Sequence, residues 1–354
     1  MRSYFKLPKS RHSVVILILN CVLFGCASPK SDISSSLSFS DYSVITIPKD
    51  YDDFTKVSPS ELHVERMNLW DVAILNDLLC VESTNADGYV TVLDKNSYSL
   101  YGHYLRQGRG PNEILYMPAL CNVTKEDGFL HLFNYGQLLK IDIDESLKAG
   151  SIVGFKEKES LSTSITSYLY LSDSLTIGRL INAQVDGQDR FLIVNRVKTD
   201  SEQQMELNTR LLDKKGDGVL FNLLGSRTGY SKERDIVVEA SLMLNTINMY
   251  SLFSDYAHTI SIGGEPDNFH ELESRYGRIG DTFLDYDQHD DYFAVLYNKD
   301  NRQKFIFFFD WTGALARTIK VPNYVQAFAV DDERSLLYAV DRDGDRLLYW
   351  QLSE

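Results

Sequence analysis

The chain is 354 residues long, 44% hydrophobic and 12% aromatic, with 50 Asp+Glu against 36 Lys+Arg and a formal net charge of −14. That acidic balance argues against nucleic acid or an anionic lipid surface as a partner, since both demand clustered Lys and Arg. Length and apolar content together support a large core, built as one repeat domain or as two ordinary ones.

The first element is a basic stretch with Arg2, Lys6, Lys9 and Arg11, followed by an apolar run over residues 13–24. That order is a secretory signal peptide. The run is about half of the ~20 residues a membrane-spanning helix needs. It ends in Leu23-Phe24-Gly25-Cys26, which resembles the bacterial lipobox. The resemblance implies cleavage after Gly25 and a lipidated (palmitate-type) Cys26 as the new N-terminus. Acyl chains at ~0.8 kcal/mol per buried CH₂ then hold the protein on a membrane. Ala27 follows the cysteine in place of the acidic residue of inner-membrane retention, so the outer membrane is the expected address. The division is a signal peptide over 1–25, a polar, serine-rich flexible tether over 26–40, and one domain over 41–354.

From residue 41 onward, short runs rich in Val, Ile, Leu, Tyr and Phe alternate with turns of Asp, Asn and Gly. Strands are predicted over residues 89–93, 129–133, 191–194, 293–297, 305–309 and 336–340. Turns are predicted at 85–88, 127–128, 217–218, 310–313 and 343–344. Residues 61–69 and 267–275 are the best helical candidates. The fold class is all-β. Cys80 and Cys121 remain once Cys21 leaves with the signal and Cys26 is acylated, and both read as buried free thiols.

Two loops match: Gly108-Arg109-Gly110-Pro111-Asn112-Glu113-Ile114 and Gly263-Gly264-Glu265-Pro266-Asp267-Asn268-Phe269. They lie roughly 155 positions apart, the span of three repeats of about 52 residues, so the domain should hold about six. The last segment offers only three strand-like runs. The run over 43–47, opened by Ser43 and closed by Ile47, is expected to complete that blade and close the ring. In this organisation, and in the loop 104–114 above all, the chain resembles the TolB-like six-bladed β-propeller lipoproteins of Bacteroidetes. The resemblance implies a fold and a cell-envelope address but no reaction.

Within the first loop, Gly108 and Gly110 are expected to take positive φ and Glu113 to cap exposed amides. Arg106, Arg109 and Glu113 are candidates for a site at the channel mouth. Asp285, Asp287 and His289 share one face under strand alternation and are the other axial candidates, for a metal or an acid/base pair. The Asp341–Asp345 stretch lacks the spacing of a calcium loop and reads as a hairpin turn. Neither G-x-S-x-G nor H-E-x-x-H occurs, and no cofactor motif is present. The expected function is non-catalytic binding or scaffolding at the envelope, with a protein or small ligand at the axial face. The alternative is a channel-centred enzyme: a hydrolase, a lyase or a metal-dependent, lactonase-like activity.

Overall fold

A computed structural model describes residues 38–64, 68–85, 87–110, 113–117, 119–120, 129–134, 137–149, 155–160, 165–172, 175–182, 187–194, 203–206, 225–267, 282–299 and 301–352. Cys26, Cys121 and the 127–128 and 217–218 turns lie outside them. So do residues 268–275, most of the second helical candidate.

Three short strands come first: β1 (Tyr42–Ile45), β2 (Asp52–Asp53) and β3 (Ser60–Leu62). Among the described residues, six sheets follow in chain order. Sheet 1 holds β4 (Leu69–Leu75), β5 (Leu78–Ser83), β6 (Val90–Asp94) and β7 (Leu100–Tyr104). Sheet 2 holds β8 (Ala119–Leu120), β9 (Phe129–Asn134), β10 (Gln137–Asp142) and β11 (Phe155–Ser160). Sheet 3 holds β12 (Ile165–Ser172), β13 (Leu175–Asn182), β14 (Gly187–Val194) and β15 (Gln203–Glu206). Sheet 4 holds β16 (Ser226–Ser231), β17 (Ile236–Ser241), β18 (Thr246–Tyr250) and β19 (Ala257–Ile262). Sheet 5 holds β20 (Phe283–Gln288), β21 (Tyr292–Lys299), β22 (Gln303–Asp310) and β23 (Leu315–Val321). Sheet 6 holds β24 (Val325–Asp331), β25 (Leu336–Asp341) and β26 (Arg346–Gln351).

Each sheet is an antiparallel meander, as the strand–turn rhythm predicts. Asn76, Asp235, Asn301 and Asp345 occupy hairpin tips at positive φ, which explains the Asn/Asp usage there. One short helix, α1 (Ile143–Ala149), was not expected from the sequence. The candidate at 61–69 is not helical: its two ends lie in β3 and β4.

The buried strands show how the sheets stack. Along β22, Phe305, Phe307 and Phe309 pack with sheet 4, while Ile306 and Phe308 pack with sheet 6. Along β25, Leu337 and Ala339 face sheet 5, and Leu336, Tyr338 and Val340 face sheet 1. Along β5, Leu79 and Val81 face sheet 6, and Leu78 and Cys80 face sheet 2. Period-two alternation thus sends successive apolar side chains into two different inter-sheet cores, so these strands read as continuous apolar runs. Each such Phe or Leu contributes about 2–3 kcal/mol by leaving water. First strands contact in series, β12 with β16, β16 with β20, β20 with β24, and β24 with β4, so the last sheet meets the first.

Closure of the last sheet corrects the sequence expectation. Residues 43–47 do not complete it; β1 instead pairs in parallel with β19, Ser43 opposite Ile260, at the outer edge of sheet 4. The fourth strand of sheet 6 is β3, with Leu62 opposite Leu347 and Ser60 opposite Tyr349. Between them β2 pairs in parallel with β23 of sheet 5. The N-terminal segment therefore runs along two outer edges, those of sheets 4 and 5, before it supplies the fourth strand of the last sheet. A β-branched run signals a strand but not its partner, because long-range pairing is decided by where the preceding chain lies.

A glycine marks the tight contact between sheets 4 and 5. A Cβ at Gly229 in β16 would overlap the ring of Tyr286 in β20. That ring stacks on Phe293 at 6.0 Å and cannot swing aside. Gly229→Ala is expected to destabilise by about 3 kcal/mol in urea unfolding, with partial recovery in Gly229→Ala/Tyr286→Ala.

Candidate functional site

Polar side chains on the first strands of sheets 4 and 5, and in the β25–β26 turn of sheet 6, reach the main chain of the neighbouring sheet. Arg227 in β16 donates through Nε to the Leu284 carbonyl at 2.8 Å. Gln288 at the end of β20 binds Tyr230 twice, accepting from its N–H at 2.9 Å and donating to its carbonyl at 2.6 Å. Asp285 accepts from the Phe328 N–H at 2.8 Å, and Asp287 from the Val330 N–H at 2.7 Å. Arg342 donates through Nε to the Trp70 carbonyl at 3.1 Å and covers the Trp70 ring at 3.8 Å. These strands form no ladder with one another, so side chains supply the partners that buried amides and carbonyls need.

These contacts bring charges from four sheets together: Asp71 and Glu82 of sheet 1, Arg227 of sheet 4, Asp285 and Asp287 of sheet 5, and Arg342 of sheet 6. Asp71 and Glu82 are register partners across β4 and β5, so their carboxyls share a face. Burial pushes the Asp71 carboxyl up, opposed by Arg227 and Arg342. Burial also drives Glu82 well up, and Asp71 adds to the effect. Asp285 is likewise raised well above the carboxylate range, by burial and then by Asp71. Arg342 is lowered, by burial first, and the Arg227 charge acts in the same sense. Each of these groups feels the charge of others among them, so they act as one electrostatic unit.

Of the sequence candidates, Asp285 and Asp287 belong to this unit, on one face as alternation predicts. His289 sits just beyond it, 3.0 Å from Asp287 Oδ2 through Nε2. Its Nδ1 lies 2.6 Å from Asp332 Oδ2, an ion-pair contact without hydrogen-bond alignment. The imidazole stacks on Tyr292 at 4.4 Å. Burial alone would lower its pKa, but the two carboxylates outweigh burial and raise it to about 9. Among the described residues, no group of three or more His, Cys, Asp or Glu is placed to hold a metal ion.

The loop after β7 lies elsewhere. Glu113 caps the Gly110 N–H at 2.7 Å, as expected, while the Gly108 N–H binds the Ile114 carbonyl at 3.0 Å. Gly108 and Gly110 do not take positive φ; Gly263 and Gly313 do. A Cβ at 108 would meet the Glu113 carboxylate, so a larger residue there would displace the Glu113 cap. Arg106 and Arg109 are exposed, and among the described residues neither is bonded to the axial unit. The matching loop at Gly263 follows β19, so both loops leave the fourth strand of a sheet, three sheets apart. Cys80 is free and buried, and burial pushes its thiol up to about 12.

Asp71, Glu82, Arg227 and Arg342 were not singled out in the sequence. The available signal was a charged residue within an otherwise apolar strand, as in Leu69–Leu75 and Leu78–Ser83. A second arrangement missed from sequence lies at the perimeter. Ser43 Oγ is 3.1 Å from His258 Nε2, and His258 Nδ1 is 2.9 Å from Asp41 Oδ2. This is the contact order of a serine-hydrolase triad. It also fastens β1 to β19.

No protein-family model matches the chain, and no curated protein matches it by sequence. Solved structures do. A protein described as exported, from Bacteroides fragilis, aligns at 13% identity over 88% of this chain and 100% of its own, with a TM-score of 0.54. A member of the DUF4221 family from Bacteroides vulgatus aligns at 10% identity over 82% of this chain and 96% of its own, with a TM-score of 0.53. The β-propeller domain of Cps50 (Swd1) from Myceliophteria thermophila aligns at 11% identity over 84% of this chain and 100% of its own, with a TM-score of 0.50. At such identities the likeness is one of fold: the chain is a nearly all-β, propeller-like protein.

Proposed function

We propose that the chain is an exported lipoprotein, anchored through an acylated Cys26, whose six sheets form a closed, TolB-like propeller that binds a ligand or protein at its axial face. The observation that carries binding is the clustering of Asp71, Glu82, Arg227, Asp285 and Arg342 from four sheets, with Arg227 bonded to the carbonyl next to Asp285 and Arg342 to the carbonyl next to Asp71. Ligand sites collect where several elements present polar groups to one space. The contact of β24 with β4 supports ring closure. The fold shared with an exported Bacteroides protein fits an envelope address, and Ala27 fits the outer membrane.

Palmitate labelling and fractionation test the anchor. The native chain should label and partition with membranes, and Cys26→Ser should do neither. Equal labelling of the variant would refute the lipidation. The relay Ser43–His258–Asp41 is the observation that favours a hydrolase instead, at the perimeter rather than in the channel. Loss of fluorophosphonate labelling in Ser43→Ala would establish that reading, and an unlabelled native chain removes it.

A further inference from the structure

The arginines of the axial unit are only partly used by the fold. Arg227 and Arg342 each commit Nε to a carbonyl. Among the described residues neither guanidinium forms an ion pair, and the Nη groups of both lack a protein acceptor. The two cations nevertheless repel each other across the axis. A guanidinium fork with free Nη donors matches a carboxylate, which takes parallel N–H donors in its own plane. Opposite them stands a second unfilled position. Glu82 is 1% exposed, and its Oε1 has no hydrogen-bond partner among the described residues. It faces the same side as Asp71. A buried carboxyl oxygen left without a partner is costly, and it asks for a donor from outside the protein.

We propose that the axial unit binds a compact zwitterion, an amino carboxylate, with its carboxylate on Arg227 and Arg342 and its ammonium on Asp71 and Glu82. This rests on the reading of the axis as a binding site. The charge balance agrees. The unit holds groups of both signs, Asp71, Glu82 and Asp285 beside Arg227 and Arg342. A ligand carrying one charge of each sign keeps that balance, whereas a lone anion or cation upsets it. Trp70, 42% exposed beneath the Arg342 guanidinium, forms the rim.

The test is isothermal titration of the full chain with glycine, L-glutamate and L-lysine, against acetate, methylammonium and glucose. At least one amino carboxylate should bind tenfold or more tightly than acetate and methylammonium. Arg342→Met and Arg227→Met should each weaken it at least tenfold. Glu82→Met, of similar volume but without an acceptor oxygen, should weaken amino carboxylates while leaving acetate unchanged, and it serves as the deciding variant should an arginine variant misfold by circular dichroism. Acetate binding as tightly as the amino carboxylates would overturn the proposal in favour of a plain anion site. Glucose binding alone, lost in Arg342→Met, would overturn the ligand class and leave axial binding standing. If no probe binds, the ligand class falls. Native mass spectrometry of the lipidated chain then separates the two readings: a co-purifying molecule keeps axial binding, and an empty protein removes both.

Discussion

A chain beginning at residue 66 is expected to lose cooperative folding, whereas one beginning at 58 should retain a single unfolding transition at a lower Tm. The difference is β3. Without it β26 becomes an exposed edge beside a buried strand, open to pairing with another molecule. Leu62 and Val64 also leave the core shared by sheets 6 and 1. Two apolar side chains at about 2 kcal/mol each, with the ladder bonds, amount to about 5 kcal/mol, comparable with the whole stability of many domains. Starting at 58 sacrifices β1 and β2, the Phe39 contact with Tyr250, the Phe54–Trp350 stack at 5.9 Å and the Arg317–Asp52 pair at 2.7 Å. Those losses weaken the outer edges but leave sheet 6 four-stranded. Thermal unfolding with light scattering distinguishes the two, and identical behaviour would show that β3 does not close the fold.

Raising the pH from 6 to 9.5 is expected to remove about 3 kcal/mol of stability through His289 alone. Its folded pKa of about 9 lies above its unfolded value of 6.5, so the folded state holds the proton more tightly. The stabilisation is complete below 6.5 and disappears as the pH rises through 9. Lys304 works in the opposite sense: burial lowers it to about 8, so its contribution grows with pH above that value. Comparison with His289→Gln removes this background. Urea unfolding at both pH values should show the native chain losing about 3 kcal/mol more than the variant. Equal losses would mean that Asp287 and Asp332 do not hold the imidazolium.

Much of the fold was legible because it is local. Residues 305–309 announce a strand buried on both sides, and β22 is one, with alternate phenylalanines in two cores. The turns at 310–313 and 343–344 fall where Asp and Gly place them. The Gly-Pro loops report the repeat length. Helix α1 had a readable start: Asp142 and Glu145 have capping-box spacing, and Asp142 Oδ1 accepts the Glu145 N–H at 2.9 Å. The helix is only 7 residues long, too short for a helical period to show in the sequence.

Composition, periodicity and turn chemistry by themselves determined the all-β class and the positions of its most apolar strands. Each depends on residues a few places apart, where side-chain alternation and backbone preference act directly. Tertiary structure alone decided that Ser60–Leu62, rather than the more strand-like residues 43–47, completes the last sheet. It also decided that Asp71, Arg227, Asp285 and Arg342 act on one another as neighbouring charges. Those residues are separated by most of the chain, and nothing in a strand's own pattern records which neighbour its charged position will face. That is set when the sheets pack, by the burial of apolar faces on either side of each strand.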